Sequence, residues 1–272
     1  MKSPFSLPLT AVLGVLVVPA SRAAEFPNVA VPSTAATTSN NTNSIELRPN
    51  GVLIAKSPWG APTATLLPSD SWEIGLLWHP TKRAFRAGLC SSMGQYVDSI
   101  GTDSFAAGYG AYSPRNNSAA FGWGYANGET SLAANSAYAE GDDSAAFNCA
   151  SATGWDSFAV NDSSAQGAFS AAFNDGTAIG FFSAAFGNNT VAQGVNQTVV
   201  GMHNILQGNP NPEAEPSPSD ALFIVGNGDP GTQATNWQAV RSNALTVRKN
   251  GSVQVQGVIT CAPGGNIPMF GQ

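Results

Sequence analysis

From Ile100 to Gly201 the chain is written in short bursts of alternation. Ser144-Ala145-Ala146-Phe147-Asn148 puts Ser, Ala and Asn on one side and Ala and Phe on the other, because successive side chains of an extended chain point to opposite faces. The same burst recurs as SFAAG, SAAFG, SLAAN, SAAFN, SFAVN, SAAFN, SAAFG and QTVVG. Its heads are Ser104, Ser118, Ser131, Ser144, Ser157, Ser170, Ser183 and Gln197, separated by 14, 13, 13, 13, 13, 13 and 14 residues. Each unit then carries Ala-x-Gly, from Ala126, Ala139, Ala152, Ala165, Ala178 and Ala192. The first unit departs, with Ser113-Pro114-Arg115 in that place.

A unit this short buries no face alone, so it must stack on its neighbours as a solenoid. The pattern predicts an all-β, parallel β-roll of about eight coils of 13–14 residues over residues 100–201. Eight rungs at ~4.8 Å make a rod of roughly 38 Å. A coil of this length encloses little space, which Ser and Ala can fill and Leu cannot. Gly and Asn in fixed columns suit corners that need positive φ. The serines from Ser104 to Ser183 are therefore expected as a structural column and not as nucleophiles. On the opposite face Phe121, Phe147, Phe173 and Phe186 form an aromatic stripe. Left bare it would be an adhesive hazard, and burial against identical subunits is the simplest cure. Those four residues are the candidate oligomer interface.

Each flank carries a hairpin signal, Asn50-Gly51 within Ile45–Ala55 and Asn250-Gly251 within Ala244–Ile259. Both residues of Asn-Gly tolerate φ > 0, which a two-residue hairpin turn requires. Residues 45–99 are expected as an N-terminal β cap, and 221–272 as a C-terminal hairpin cap and tail. Ala221–Gly228 reads as a buried strand. Residues 202–220 read as a Pro-rich linker or projecting loop, and 24–44 as a flexible lead.

Composition adds the compartment. Leu9–Val18 is an apolar run of signal-peptide length, and Ser21-Arg22-Ala23 offers small residues for cleavage after Ala23. Residues 1–23 are thus expected as a signal peptide, and the protein as secreted or held at the cell surface. Losing Lys2 and Arg22 moves the formal charge from −6 to −8. That balance argues against nucleic acid and anionic membranes as partners. No later window of 18 apolar residues predicts a transmembrane helix. Charged residues are only 10% of the chain, against about a quarter in an ordinary globular protein.

Catalytic and metal patterns are sparse, so no cofactor, metal or enzyme activity is expected. His79 and His203 are the two histidines, and His79 reads as a partly exposed loop residue. Asp142, Asp143 and Asp162 fit turns. The carboxylates do not recur in one column, as a glycosidase pair would demand. Gly226–Gly231 is Gly-rich but lacks the Lys and helix of a phosphate loop. Cys90, Cys149 and Cys261 are far apart and read as small buried residues. The tryptophans, Trp59, Trp72, Trp78, Trp123, Trp155 and Trp237, suit core or oligomer packing ahead of sugar stacking.

Ser-x-Ala-x-Gly followed by Ala-x-Gly at this spacing resembles the head repeats of trimeric autotransporter adhesins, the YadA-like heads. Leu76–Gly88, LLWHPTKRAFRAG, is similar to a lead-in before such repeats in exported bacterial proteins. The resemblance implies a left-handed parallel β-roll and a homotrimer acting in cell adhesion. A glycan or an extracellular protein would be its ligand. That family's coiled-coil stalk and membrane barrel have no counterpart among the residues after Gly201. The expected function is a non-catalytic, adhesin-head-like binding or structural module. The alternatives are an ice-binding solenoid and a polysaccharide-acting β-helix enzyme.

Overall fold

The computed structural model describes residues 44–47, 52–58, 73–90, 100–206, 216–231 and 239–257. All of these lie in one unit, Thr38–Gln272. The expected signal peptide, almost all of the lead, and residues 207–215 of the Pro-rich stretch lie outside the described residues, as do Trp59, Trp72, Trp237 and Cys261. Among the described residues the fold is all-β, without a helix.

The chain enters as an antiparallel meander, β1 (Ser44–Leu47), β2 (Leu53–Pro58), β3 (Glu73–His79) and β4 (Ala84–Cys90). The first hairpin forms, but Leu47 pairs with Leu53, so its connection is longer than a two-residue Asn-Gly turn. A second hairpin, His79 opposite Ala84, turns on Pro80–Arg83 with Arg83 at φ 52°. Val52, Ile54, Leu77, Ala84 and Ile100 form its apolar core.

The chain then alternates between two sheets. It runs β5 (Phe105–Tyr109), β6 (Ala119–Phe121), β7 (Tyr125–Ala126), β8 (Leu132–Ala134), β9 (Tyr138–Ala139), β10 (Ala145–Phe147) and β11 (Ser151–Ala152). It continues through β12 (Phe158–Val160), β13 (Ser164–Ala165), β14 (Ala171–Phe173), β15 (Thr177–Ala178), β16 (Ala184–Phe186), β17 (Val191–Ala192) and β18 (Thr198–Met202). Strands β5, β6 and the even-numbered strands from β8 to β18 pair in parallel as one wall. The odd-numbered strands from β7 to β17 form the other. The result is a β-solenoid of about seven turns. β19 (Ala221–Asn227) is the parallel neighbour of β18 in the first wall, so the chain returns to the same sheet after residue 220. β20 (Asn243–Arg248) and β21 (Val253–Val255) close that sheet antiparallel.

Register explains the composition. Ala146 lies beside Ala133 and Ala159, and Ala152 beside Ala139 and Ala165. Ser144, Ala146, Ala150 and Ala152 of one coil all point into the bore and are buried. A stacked column repeats every ~4.8 Å, so a larger side chain meets its own copy above and below. One corner is tighter still: a Cβ on Gly154 would stand 2.1 Å from the carbonyl oxygen of Gly167.

The corners are left-handed. Asn135, Asn148, Asn161 and Asn174 sit at φ 60°, 56°, 61° and 53°, and their amides form a ladder with N–H···O distances of 3.1, 3.0 and 2.9 Å. The residue before each buried head is left-handed too. Asp103, Asn117, Asp143, Asp156 and Asn196 suit that backbone, but Thr130, Phe169 and Phe182 share it at φ 56°, 57° and 56°. A β-branched or bulky residue there is strained.

Each end of the bore is plugged differently. Arg86 aligns with Ala106, one rung before the first coil, and its guanidinium donates to Ser104 Oγ (2.8 Å) and Ser113 O (2.6 Å). At the far end Val199, Ile224 and Thr246 stack in line. There Asn204, wholly buried, accepts from Val191 N (2.7 Å) and donates to Val191 O (3.0 Å), so its side chain pairs the edge of β17 as a further strand would.

Two local expectations change. Ala221–Asn227 is buried on one side only, with Leu222 exposed, and a register shift follows Ala221. The Asn250-Gly251 turn has three loop residues. Gly251 donates to Arg248 O and Arg248 to Ser252 O, both at 2.9 Å. Gly251 alone is left-handed, at φ 84°, because a type I turn followed by one left-handed residue needs positive φ at a single position.

Candidate binding surfaces

The serine column faces inward. The hydroxyls of Ser104, Ser118, Ser131 and Ser144 donate to the carbonyl three residues earlier, at 2.5, 2.7, 2.6 and 2.5 Å. Those of Ser157, Ser170 and Ser183 are buried without a partner. Beside a bore of alanine methyls none is placed to meet a substrate. Gln197 ends the column, its Oε1 accepting from Gly194 N (3.0 Å).

The outer face of the first wall carries the phenylalanines. Phe121, Phe147, Phe173 and Phe186 share one column, interrupted by Ala134 and Val160. In the neighbouring column Phe158 closes the gap at Val160, Leu132 stands at the gap at Ala134, and Phe105 lies one rung before Phe121. Phe173 and Phe186 stack at 4.9 Å and 10°. Phe158 meets Phe147 at 6.0 Å and Phe173 at 5.6 Å, and Phe105 bridges Phe85 to Phe121 at 5.3 Å each. Phe121, Phe158 and Phe186 are exposed, and Phe147 and Phe173 half-buried. The two rows interlock because alternation places both side chains of the Phe158–Val160 and Phe173 kind on one surface.

A second aromatic group lies on the strained corner. Phe169 and Phe182 stack at 4.8 Å and 5°, and Trp155 meets Phe169 edge-on at 5.2 Å. Trp155 and Phe182 are more than half exposed, at 54% and 55%. Trp78 and Trp123 are also exposed, so none of the described tryptophans lies in the core of this chain.

The outer face of the second wall carries a tyrosine ladder. Tyr112, Tyr125 and Tyr138 are successive rungs, with ring centroids 6.1 and 5.1 Å apart. Beside them a shallow groove is lined by Tyr112, Pro114, Arg115, Asn127 and Glu140. Sequence reasoning did not single out these tyrosines, although their 13-residue spacing, one place before Ala126 and Ala139, was legible. It also missed Arg86, Asn204 and Asn243, which pattern reading cannot flag because each acts across 13 residues or more.

Electrostatics are local. Burial pushes the Arg86 guanidinium down to about 10, against a smaller opposing effect of Tyr112. On the surface Arg83 and Asp103 pair through two hydrogen bonds, which lower the Asp103 carboxyl and raise Arg83.

His79 is no loop residue. It ends β3, is buried, and its Nδ1 accepts from Lys82 N (3.3 Å), because the tight turn folds back over it. His203 is buried with neither ring nitrogen hydrogen-bonded. Cys149 is exposed rather than buried, since it takes the outward, left-handed position after Asn148 (φ 61°). The side chain of Cys90 lies outside the described residues. Among the described residues no group of three or more His, Cys, Asp and Glu could hold a metal ion. No helix among them is long and apolar enough to cross a membrane. In comparison with known proteins, the chain matches no family model, no curated protein and no solved structure.

Proposed function

We propose that this chain is an exported, non-catalytic binding head. It works in adhesion or as a structural module at the cell surface, and assembles as a homotrimer through the phenylalanine face. The carrying observation is the unbroken aromatic surface Phe147–Phe158–Phe173–Phe186, with contacts of 4.9 to 6.0 Å and two of its rings exposed. A solenoid needs Ser and Ala inside, but nothing in the coil requires Phe outside, where Ala145, Ala171 and Ala184 occupy the neighbouring column. A contiguous apolar patch of this kind marks an interaction surface. Closed cyclic symmetry is the usual way for identical chains to cover one. The resemblance of the repeat to trimeric adhesin heads supports the number three and the adhesive role.

Size-exclusion chromatography with light scattering tests the assembly. A trimer that falls to monomer in Phe173→Ser/Phe186→Ser supports the reading; a wild-type monomer at micromolar concentration sinks it. Amino-terminal sequencing of exported protein should begin at Ala24. A start at Met1 on cytoplasmic protein would remove the export part.

A further inference from the structure

We infer that the groove beside the tyrosine ladder is a subsite for a neutral hexopyranose oligosaccharide. The inference deepens the binding role proposed above and rests on it. It starts from a local break in the repeat. In the coils from β11 onward, the column of Tyr112, Tyr125 and Tyr138 is filled by Ser151, Ser164, Thr177 and Val191. The coil therefore closes without tyrosine, and the rings need another reason. The glycine column breaks at the same end. Arg115 stands in line with Gly101 and Gly128, and its carbonyl lies where a Cβ on Gly101 would point. Ser113, the other departure, has a structural use, since its carbonyl accepts from half-buried Arg86 and its hydroxyl donates to Phe105 O (3.0 Å). The Arg115 side chain makes a surface contact, from its Nε to Asn127 O (3.2 Å), and is exposed at the groove.

The lining selects the ligand. Tyr125 and Tyr138 lie within 13° of parallel and support one another. Tyr112 is turned 56° from Tyr125, and of the three rings it alone lines the groove. A ring beside a guanidinium, an amide and a carboxylate suits a pyranose: its C–H face packs on the aromatic and its hydroxyls both donate and accept. Arg115 and Glu140 carry opposite charges on one rim, so they cancel towards a neutral sugar. A polyanion would meet Glu140 and the acidic chain around it.

Titration calorimetry with hexaoses of glucose, mannose and N-acetylglucosamine, and with hexagalacturonate, tests the assignment. At least one neutral hexaose should bind and hexagalacturonate should bind at least tenfold more weakly. Arg115→Gly restores the glycine column and Tyr112→Ser copies the later coils, so both should fold; Glu140→Ala is at an exposed position. Each should weaken binding about tenfold or more, with unchanged thermal melting, while Tyr112→Phe stays within about threefold. No neutral hexaose binding at millimolar concentration overturns the inference. So does binding that these variants leave intact, which would move the sugar elsewhere and spare the adhesive reading. Preferential binding of a peptide copying Pro210–Pro218 in the groove would overturn it in favour of a proline-rich ligand.

Discussion

A methyl group is the largest side chain that most of the bore accepts, and at Gly154 even a methyl is too much. The Cβ of Gly154→Ala would lie 2.1 Å from the backbone oxygen of Gly167 in the next coil, which Ser170 N holds. The cost should be about 3 kcal/mol in urea denaturation. Gly251→Ala separates space from backbone conformation: nothing lies within 4 Å of its Cβ, but φ is 84°, so about 1 kcal/mol is expected. Thr130 offers the opposite sign. It is β-branched, exposed and at φ 56°. Thr130→Asn, matching Asn117 in that column, should stabilise by about 1 kcal/mol, and an unchanged or lower denaturation midpoint would refute this.

The terminal elements hold the coils by specific polar contacts. Asn204 gives β17 the hydrogen bonds that a next strand would give. Asn204→Leu keeps the branched shape and leaves the half-buried Val191 donor and acceptor groups unpaired, so a loss of about 2–3 kcal/mol is expected. Faster amide exchange at Val191 would place that loss at the edge. At the other end Arg83 lowers the Asp103 carboxyl mainly by hydrogen bonding. An acid with a depressed folded pKa stabilises above its unfolded pKa, and that contribution fades as pH falls through the folded value. The melting difference between wild type and Asp103→Asn should therefore be present at pH 7 and vanish at strongly acidic pH. The pair is exposed, so salt should shrink the difference as well.

For the whole solenoid, register is the organising quantity. From β6 to β16 each coil pairs with the next residue for residue at an offset of 13, as Ala146 with Ala159 and Ala159 with Ala172; the first and last steps are 14. Deleting residues 158–170 should rejoin like with like and leave a shorter folded solenoid, with the circular dichroism of the parent. Deleting Phe158 alone should slip every later side chain to the opposite face and abolish cooperative melting.

The repeat period, the inward Ser and Ala and the outward Phe were legible because a column depends on one residue type at one spacing. Asn148 and Asn161 at corners were legible for the same reason, since a left-handed backbone selects its residue locally. The paired role of Asn204, the burial of Arg86 and the groove at Arg115 were not. Each joins parts of the chain that only the stacking brings together, across 12 to 27 residues. The short-range alternation of Ser144–Asn148 dictates that a coil forms and what can lie inside it. Which rings touch, which corner is strained and what closes each end were settled by the register between coils, a property of the folded stack that no single coil contains.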